Sequence, residues 1–462
     1  MERVVSLTLK QEQPKIAIIG AGAAGLCAAR VLSRDLGVED LTVLEAKSYG
    51  GGVWKYEENC EKHPMYRGLR TNLPKEVMAY REKPWTGVTN SFVTHNDVFQ
   101  YLVDYEKDFD LQKKIKYSSP VQQLTILDEK DAGSSSFSPD SESLPKIRLD
   151  YGEGGDKSDI YDAVFVCNGH YAAPSSPDLP GLKEYFNGEI IHSVTYDDPS
   201  KFGGKTVLCI GGRASGSDLA REISFHADRV YLSDTDATLN EDSTPKSQGK
   251  VTWVPRTMEV LDDGSIKFDI GCAATPKVDT IIFCSGYDYK FPFINKASNL
   301  DFRCVPGERR VMPLYKQFWH AQYPNLCFVG IPHSVVPFPF FEIQAESAAA
   351  QFKSFMLPDP TSRAEEAASD STTGGAKKNG RIQDTHFLGS KQWDYCRMMA
   401  KIGGNYNDEI EGYIATNKAL YDHAGKARKA LFPGGDDTYR EIKYNRQGNE
   451  WTVLQEQEVS TV

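Results

Sequence analysis

The sequence predicts an α/β fold of two Rossmann-like units, the smaller inserted in the larger, on three observations. A short β-branched run, a glycine-rich turn and a helix-like stretch open the chain near residue 15, and the same order recurs about 190 residues later. Two apolar strand-like runs, 162–167 and 280–284, end in matching punctuation, Asn168-Gly169 and Ser285-Gly286. The segment between those ends contains the second unit whole. Residues 1–171 and 288–462 therefore read as one discontinuous domain, and 172–287 as the inserted one.

In the first unit, 15–19 is a strand, 20–25 a turn, 26–36 a helix and 41–44 a second strand ending at Glu45. Gly20-Ala21-Gly22-Ala23-Ala24-Gly25 matches G-x-G-x-x-G in full. Gly20 permits a tight turn, Gly22 lets the backbone approach a pyrophosphate, and Gly25 lets the helix pack close to the strand. The N–H groups of the helix start suit that phosphate. Glu45 lies 20 residues past Gly25, where a carboxylate can accept from ribose hydroxyls. This is a dinucleotide site; spacing alone does not separate FAD from NAD.

The balance of 53 basic and 64 acidic residues gives −11, which argues against a nucleic-acid partner. The best apolar run, 16–29, has 14 residues, against roughly 20 for a membrane span. The first fifteen residues lack the apolar core of a signal peptide. Nine scattered cysteines without a C-x-x-C pair fit reduced thiols, so a cytoplasmic protein is expected. No metal-ligand spacing is present. Segments 128–143 and 358–379, poor in apolar residues, read as solvent loops.

Further motifs bring a resemblance. Gly51-Gly52-Val53-Trp54 forms a GGxW turn, 69–76 reads LRTNLPKE, and 186–196 fits FxGxxxHxxxY at Phe186, Gly188, His192 and Tyr196. With the two glycine turns, the chain from about 15 to 350 resembles the flavin-containing monooxygenases, nearest to the plant-type S-oxygenase branch. The resemblance implies FAD on the first loop and NADPH on the second. It also implies a cycle in which reduced flavin and O₂ form a C4a-hydroperoxyflavin that oxygenates a thioether sulfur or an amine nitrogen. Tyr196 resembles the N/S-oxygenating type, since the Baeyer–Villiger type carries Trp there.

The resemblance places Asn72, between Thr71 and Leu73, at the flavin and nicotinamide as the catalytic candidate. An amide donates and accepts without adding charge, although Asn before Pro74 is also a common turn residue. His192 and Tyr196 read as hinge and nicotinamide-positioning residues, not as proton-transfer groups. Trp54 packs beside the flavin or simply in the core. Gln344, on a helix in the 338–351 run, is either a polar contact to the flavin or part of a core helix.

The second turn, Gly211-Gly212-Arg213-Ala214-Ser215-Gly216, departs from G-x-G-x-x-G at Arg213. That side chain either blocks a pyrophosphate or binds a phosphate. Ser215, Gly216, Ser217 and Asp218 open the following helix. Asp234 and Asp236 stand where the family carries Arg, and acids there suit a free 2′-hydroxyl, so NADH competes with the expected NADPH. An uncoupled NAD(P)H oxidase releasing peroxide and a catalytically silent nucleotide-binding protein are the alternatives. A disulfide oxidoreductase would need two nearby cysteines, and only Cys60 is in range. Substrate and oligomeric state stay open.

Overall fold

The computed structural model describes residues 4–6, 14–58, 60, 63–127, 144–235, 251–269, 277–354, 356–369, 382–431 and 437–455. In chain order the larger unit begins with β1 (Ile16–Ile19), α1 (Ala23–Leu36), β2 (Leu41–Leu44), α2 (His95–Asp108), β3 (Ile115–Lys116) and β4 (Ala163–Val166). The smaller unit follows with β5 (Glu189–His192), β6 (Thr206–Ile210), α3 (Ala214–Ser224), β7 (Arg229–Ser233), β8 (Val251–Val254) and β9 (Thr280–Phe283). The chain then adds β10 (Leu326–Phe328), α4 (Pro337–Ser354), α5 (Pro360–Ala368), α6 (Gln392–Ile402) and α7 (Asp408–Leu431).

Two parallel sheets form the frame. The first runs β10-β4-β1-β2-β3 and is extended at the β10 edge by the antiparallel strands Trp319–His320 and Leu314–Tyr315. The second runs β5-β9-β6-β7-β8 and is parallel throughout. Period-two alternation puts the side chains of one strand into two cores. Ile16 and Ile18 enter the core under α1 and α4, whereas Ala17 and Ile19 enter the opposite core with Leu124, Leu149 and Phe291. In β6, Val207 and Cys209 face α3, and Leu208 faces the other way. Strands buried on both faces read as continuous apolar runs.

The chain passes between the sheets just beyond β4 and β9, and the two crossings pair with each other. Ala173 and Pro174 run antiparallel to Tyr287 and Asp288, and Ser175 N–H donates to Gly286 O at 2.9 Å.

Helix ends follow local chemistry. Thr94 and Asp97 make a reciprocal capping box on α2, and Gly37, at φ +61, closes α1. One expectation is corrected: 358–379 is not a loop throughout. Asp359 caps α5, Pro360 takes its first turn, and Arg363 is buried with Nε donating to Ala321 O at 2.7 Å. Capping and an inward-turned arginine order a segment whose composition is too polar to suggest it. The expectation for 128–143, and that for 370–379, lie outside the described residues.

Candidate active site

Both glycine turns use one backbone device. Gly20 and Gly211 have φ of +102 and +115, a region that favours glycine. A Cβ on either would stand 2.6 Å from the carbonyl just past a strand, Cys167 O after β4 or Cys284 O after β9. Gly25 and Gly216 press their helices on these turns: a Cβ there would lie 1.8 Å from Gly20 O and 1.7 Å from Gly211 O. Gly22 and Arg213 cap α1 and α3 with nearly equal angles, φ −77 and ψ −173 against φ −75 and ψ −168. Neither end has a side-chain cap, so the first N–H groups of α1, from Ala23 and Ala24 onward, and those of α3 stay available to an anion. An arginine fits the second turn because that position needs extended backbone, not a left-handed one.

The Arg213 side chain is 56% exposed. It lies over the Phe387 ring at 5.4 Å, with Nη2 3.8 Å from Asp384 Oδ1. Ser215 is exposed on the first turn of α3. Ser217 Oγ donates to Gly212 O at 2.8 Å and closes the loop. Glu45 is nearly buried, and its two oxygens accept from Ala21 N–H at 2.6 Å and Lys47 N–H at 2.8 Å. Each oxygen retains a lone pair for a hydroxyl. Asp234 repeats the arrangement at β7: its Oδ2 would lie 2.3 Å from a Cβ on Gly212. Asp236 lies outside the described residues.

The Gly51–Trp54 turn locks onto the first loop. Gly51 N–H donates to Ala21 O at 2.8 Å, and a Cβ on Gly52 would stand 2.9 Å from Gly22 Cα. Val53 is half-buried, and Trp54 packs against the main core. Thr71 is pinned by its N–H to Val93 O at 2.8 Å and by its Oγ1 accepting from Val93 N–H at 3.0 Å. Leu73 packs on the core. Asn72, held between them, is half-buried, and its amide has no hydrogen-bond partner among the described residues. A rigid turn that presents one unspent amide is what a ligand contact requires.

The linker motif holds the smaller unit. Gly188 is required by close approach, since a Cβ would lie 2.4 Å from Asp279 O, and the Phe186 ring stands over it. His192 Nδ1 accepts from Val194 N–H at 3.1 Å, so its Nε2–H donates to Gly286 O at 3.1 Å. Burial pushes its pKa down. A neutral imidazole with both nitrogens engaged in backbone bonds joins β5 to the crossing. Tyr196 donates to Glu222 Oε2 at 3.0 Å, stacks on Phe202 and meets the Tyr66 ring edge to face. Gln344 turns inward with no exposed surface, accepting from Gly330 N–H at 2.9 Å and donating to Tyr395 Oη at 2.9 Å. It shapes the turn after β10 instead of offering an open polar group. Asp218 likewise points into the protein, paired with Arg440 at 2.9 and 3.0 Å.

Sequence reasoning missed a row of rings along the crossing. His192–Tyr287 (5.5 Å), Tyr287–Tyr171 (5.4 Å), Tyr171–His170 (4.5 Å), His170–Tyr289 (5.4 Å) and Tyr289–His386 (5.6 Å) are in contact. Tyr171 is 46% exposed, and desolvation by its surroundings pushes its phenol up. The only signal was the pair of aromatics after Asn168-Gly169 and Ser285-Gly286.

Burial, with His333, Arg310 and His170 nearby, pushes His386 down to about 3. Its Nε2 accepts from Val311 N–H at 3.0 Å, so Nδ1–H donates to Gln317 Oε1 at 2.8 Å. A histidine held neutral binds fewer protons folded than unfolded. Stability is therefore lost as pH falls from about 6.5 toward about 3. The His386→Asn variant is expected to lower the slope of unfolding free energy against pH by about one proton in that window, as read by urea unfolding at stepped pH.

Two glycine turns of one design, an unspent amide at Asn72 and a row of rings along the crossing fit a two-dinucleotide flavoprotein. The model for the FMO-like family (flavin-binding monooxygenase-like) matches residues 13–240. The chain is 33% identical over 428 residues to flavin-containing monooxygenase FMO GS-OX-like 4 of Arabidopsis thaliana, covering 87% of this chain and 90% of that protein. It is 34% identical over 363 residues to FMO GS-OX-like 2 of the same plant, covering 72% and 73%. The structure of S-allyl-L-cysteine S-oxygenase from Allium sativum superposes with a TM-score of 0.78 at 29% identity, over 93% of this chain and 95% of that one. The fold extends to cyclohexanone monooxygenase, at a TM-score of 0.56 and 15% identity.

The chain belongs to the flavin-containing monooxygenase family, and it is a flavin-dependent monooxygenase. Among the described residues no helix is long and apolar enough to cross a membrane.

Proposed function

We propose that this monooxygenase takes electrons from NADPH on its second glycine loop and delivers one oxygen atom to a thioether sulfur, with amine nitrogen as the second substrate class. The observation that carries this reading is the Asn72 amide, unspent on a turn pinned to Val93 and linked through Arg440 to the helix of the second glycine turn. The plant relatives and the Allium enzyme, an S-oxygenase by name, favour sulfur.

Gly20, Gly22, Gly25 and Glu45 would hold FAD, with pyrophosphate at the start of α1 and ribose at the carboxylate. Bound flavin supplies the oxygen activation that no side chain here can provide. The chain's own part is to bind, orient and exclude water. Asn72 donates to a developing negative charge near the reacting oxygen. His192, fixed in one tautomer, holds the crossing against β5. The row of rings along the crossing supplies apolar surface to keep water from the reacting atoms. The protein works in the cytoplasm, in keeping with eight free thiols among the described cysteines.

The test is NADPH consumption with thioether and tertiary-amine substrates, with peroxide measured in parallel. Sulfoxide formed in step with NADPH supports the reading; peroxide equal to NADPH with every substrate overturns it in favour of an uncoupled oxidase.

Arg213 is the exposed guanidinium at the second loop, and Asp234 is the acid against Gly212 of that loop. Arg213→Ala is expected to lower kcat/KM for NADPH about 10–100-fold, the value of one charged hydrogen bond, and to change NADH little. Asp234→Ser is expected to widen the NADPH preference by removing a carboxylate that repels the 2′-phosphate. Steady-state kinetics with both nucleotides checks both.

A further inference from the structure

We propose that Arg440 is a positioning residue that fixes the Asn72 turn against α3, the helix of the second dinucleotide site. The inference rests on the proposed function for its catalytic consequence, but its geometry is independent of that reading. Arg440 comes from the C-terminal segment, well past the region that carries the recognisable motifs. Its side chain is 1% exposed. Nη2 donates to both oxygens of Asp218 on α3, at 3.0 and 2.9 Å. Nε donates to Thr71 O at 3.1 Å, and Nη1 to Asp437 Oδ2 at 3.3 Å.

The Thr71 carbonyl shares its rigid peptide plane with the N–H of Asn72. A bond to that oxygen therefore fixes where the Asn72 Cα begins. The preceding plane is held by Thr71 N–H on Val93 O. Arg70 completes the clasp from the other side, donating to Arg440 O at 3.2 Å and pairing with Glu441 at 2.9 Å. Arg221 on α3 reaches Asp437 at 3.4 Å. One guanidinium thus ties three separated segments: α3, the turn bearing Asn72 and the 437–441 turn. Asp218 lies one turn into α3, so its pairing sets the helix start relative to Asn72. A buried ion pair adds little net stability but defines one geometry, and only arginine's planar fork serves two directions at once.

The test uses the flavin-loaded full chain carrying D218N and R440Q together, which leaves no stranded buried charge, and R440K, which keeps the charge without the fork. Amide hydrogen exchange across 70–74 is read without nucleotide, and peroxide per NADPH is read with a saturating thioether. The expected result is exchange about 10–100-fold faster across 70–74, as for a lost charged hydrogen bond. Peroxide per NADPH should rise several-fold, with flavin content and NADP⁺ affinity within about threefold of the parent. Parental exchange and coupling in a folded variant overturn the proposal. Failure of both variants to fold also overturns it, because Arg440 would then serve stability. A colourless parent chain would defeat the proposed function while leaving the exchange result readable, so the two failures are distinguishable.

Discussion

Asn72→Ala is expected to give a folded, yellow protein that consumes NADPH but transfers oxygen on the order of 10²–10³-fold more slowly, the cost of losing one aimed donor. The missing product should appear as peroxide. Stability should barely move, because the amide has no partner among the described residues to lose. The Thr71 bonds to Val93 and Arg440 are made by backbone and hydroxyl atoms that the substitution leaves in place. Thermal unfolding, flavin absorbance and the ratio of sulfoxide to peroxide are the measurements. A fall of many degrees in Tm would show that the side chain is a structural turn residue; unchanged coupling would remove it from the chemistry.

Gly25→Ala and Gly216→Ala separate the two dinucleotide sites. The new methyl would lie 1.8 Å from Gly20 O in the first and 1.7 Å from Gly211 O in the second. Backbone cannot yield that distance without moving the helix off its turn, and the phosphate-facing N–H groups move with it. Gly25→Ala is expected to purify colourless and to take up added FAD at least about 100-fold more weakly. Gly216→Ala is expected to stay yellow while KM for NADPH rises by a similar factor, about 100-fold, as a misplaced helix start gives up several N–H contacts. Flavin titration and stopped-flow reduction check the pair. A yellow Gly25→Ala protein with parental affinity would contradict the assignment of the first loop.

Local chemistry explains which parts of the site were legible in sequence. A glycine that must adopt positive φ or admit a helix leaves its mark in sequence, as at Gly20, Gly25, Gly211 and Gly216. Gly188 leaves a similar mark for a different reason, the close approach of Asp279 O and the Phe186 ring. Arg213 looked like a defect because a glycine pattern records a need for space as well as for angle. The structure shows the angle to be ordinary there and the space open. Gln344 and Asp218 sat at plausible places on their helices, yet helical position does not say which way a polar side chain turns. Gly330 with Tyr395 decided the first, and Arg440 the second.

Composition misjudged 358–369 for a related reason. Counting apolar residues cannot see that Asp359 caps a helix or that a single arginine is drawn inward by Ala321 O.

Taken alone, the sequence determined two βαβ openings, the acid at each second strand, the nesting of one unit in the other and the class of chemistry. The openings and their acids rest on residues close in the chain, whose backbone demands are met locally; the nesting rests on two matching strand ends, and the chemistry on the motifs that carry the family resemblance. Tertiary structure alone decided which polar groups are spent and which remain. The clasp of Arg440 on Asp218 and Thr71 joins residues more than 200 positions apart, and the ring row gathers side chains from four segments of chain. Contacts of that kind depend on how sheets and helices pack. No local pattern encodes them, because a buried hydrogen bond is specified by its partner's position and not by its neighbours in sequence.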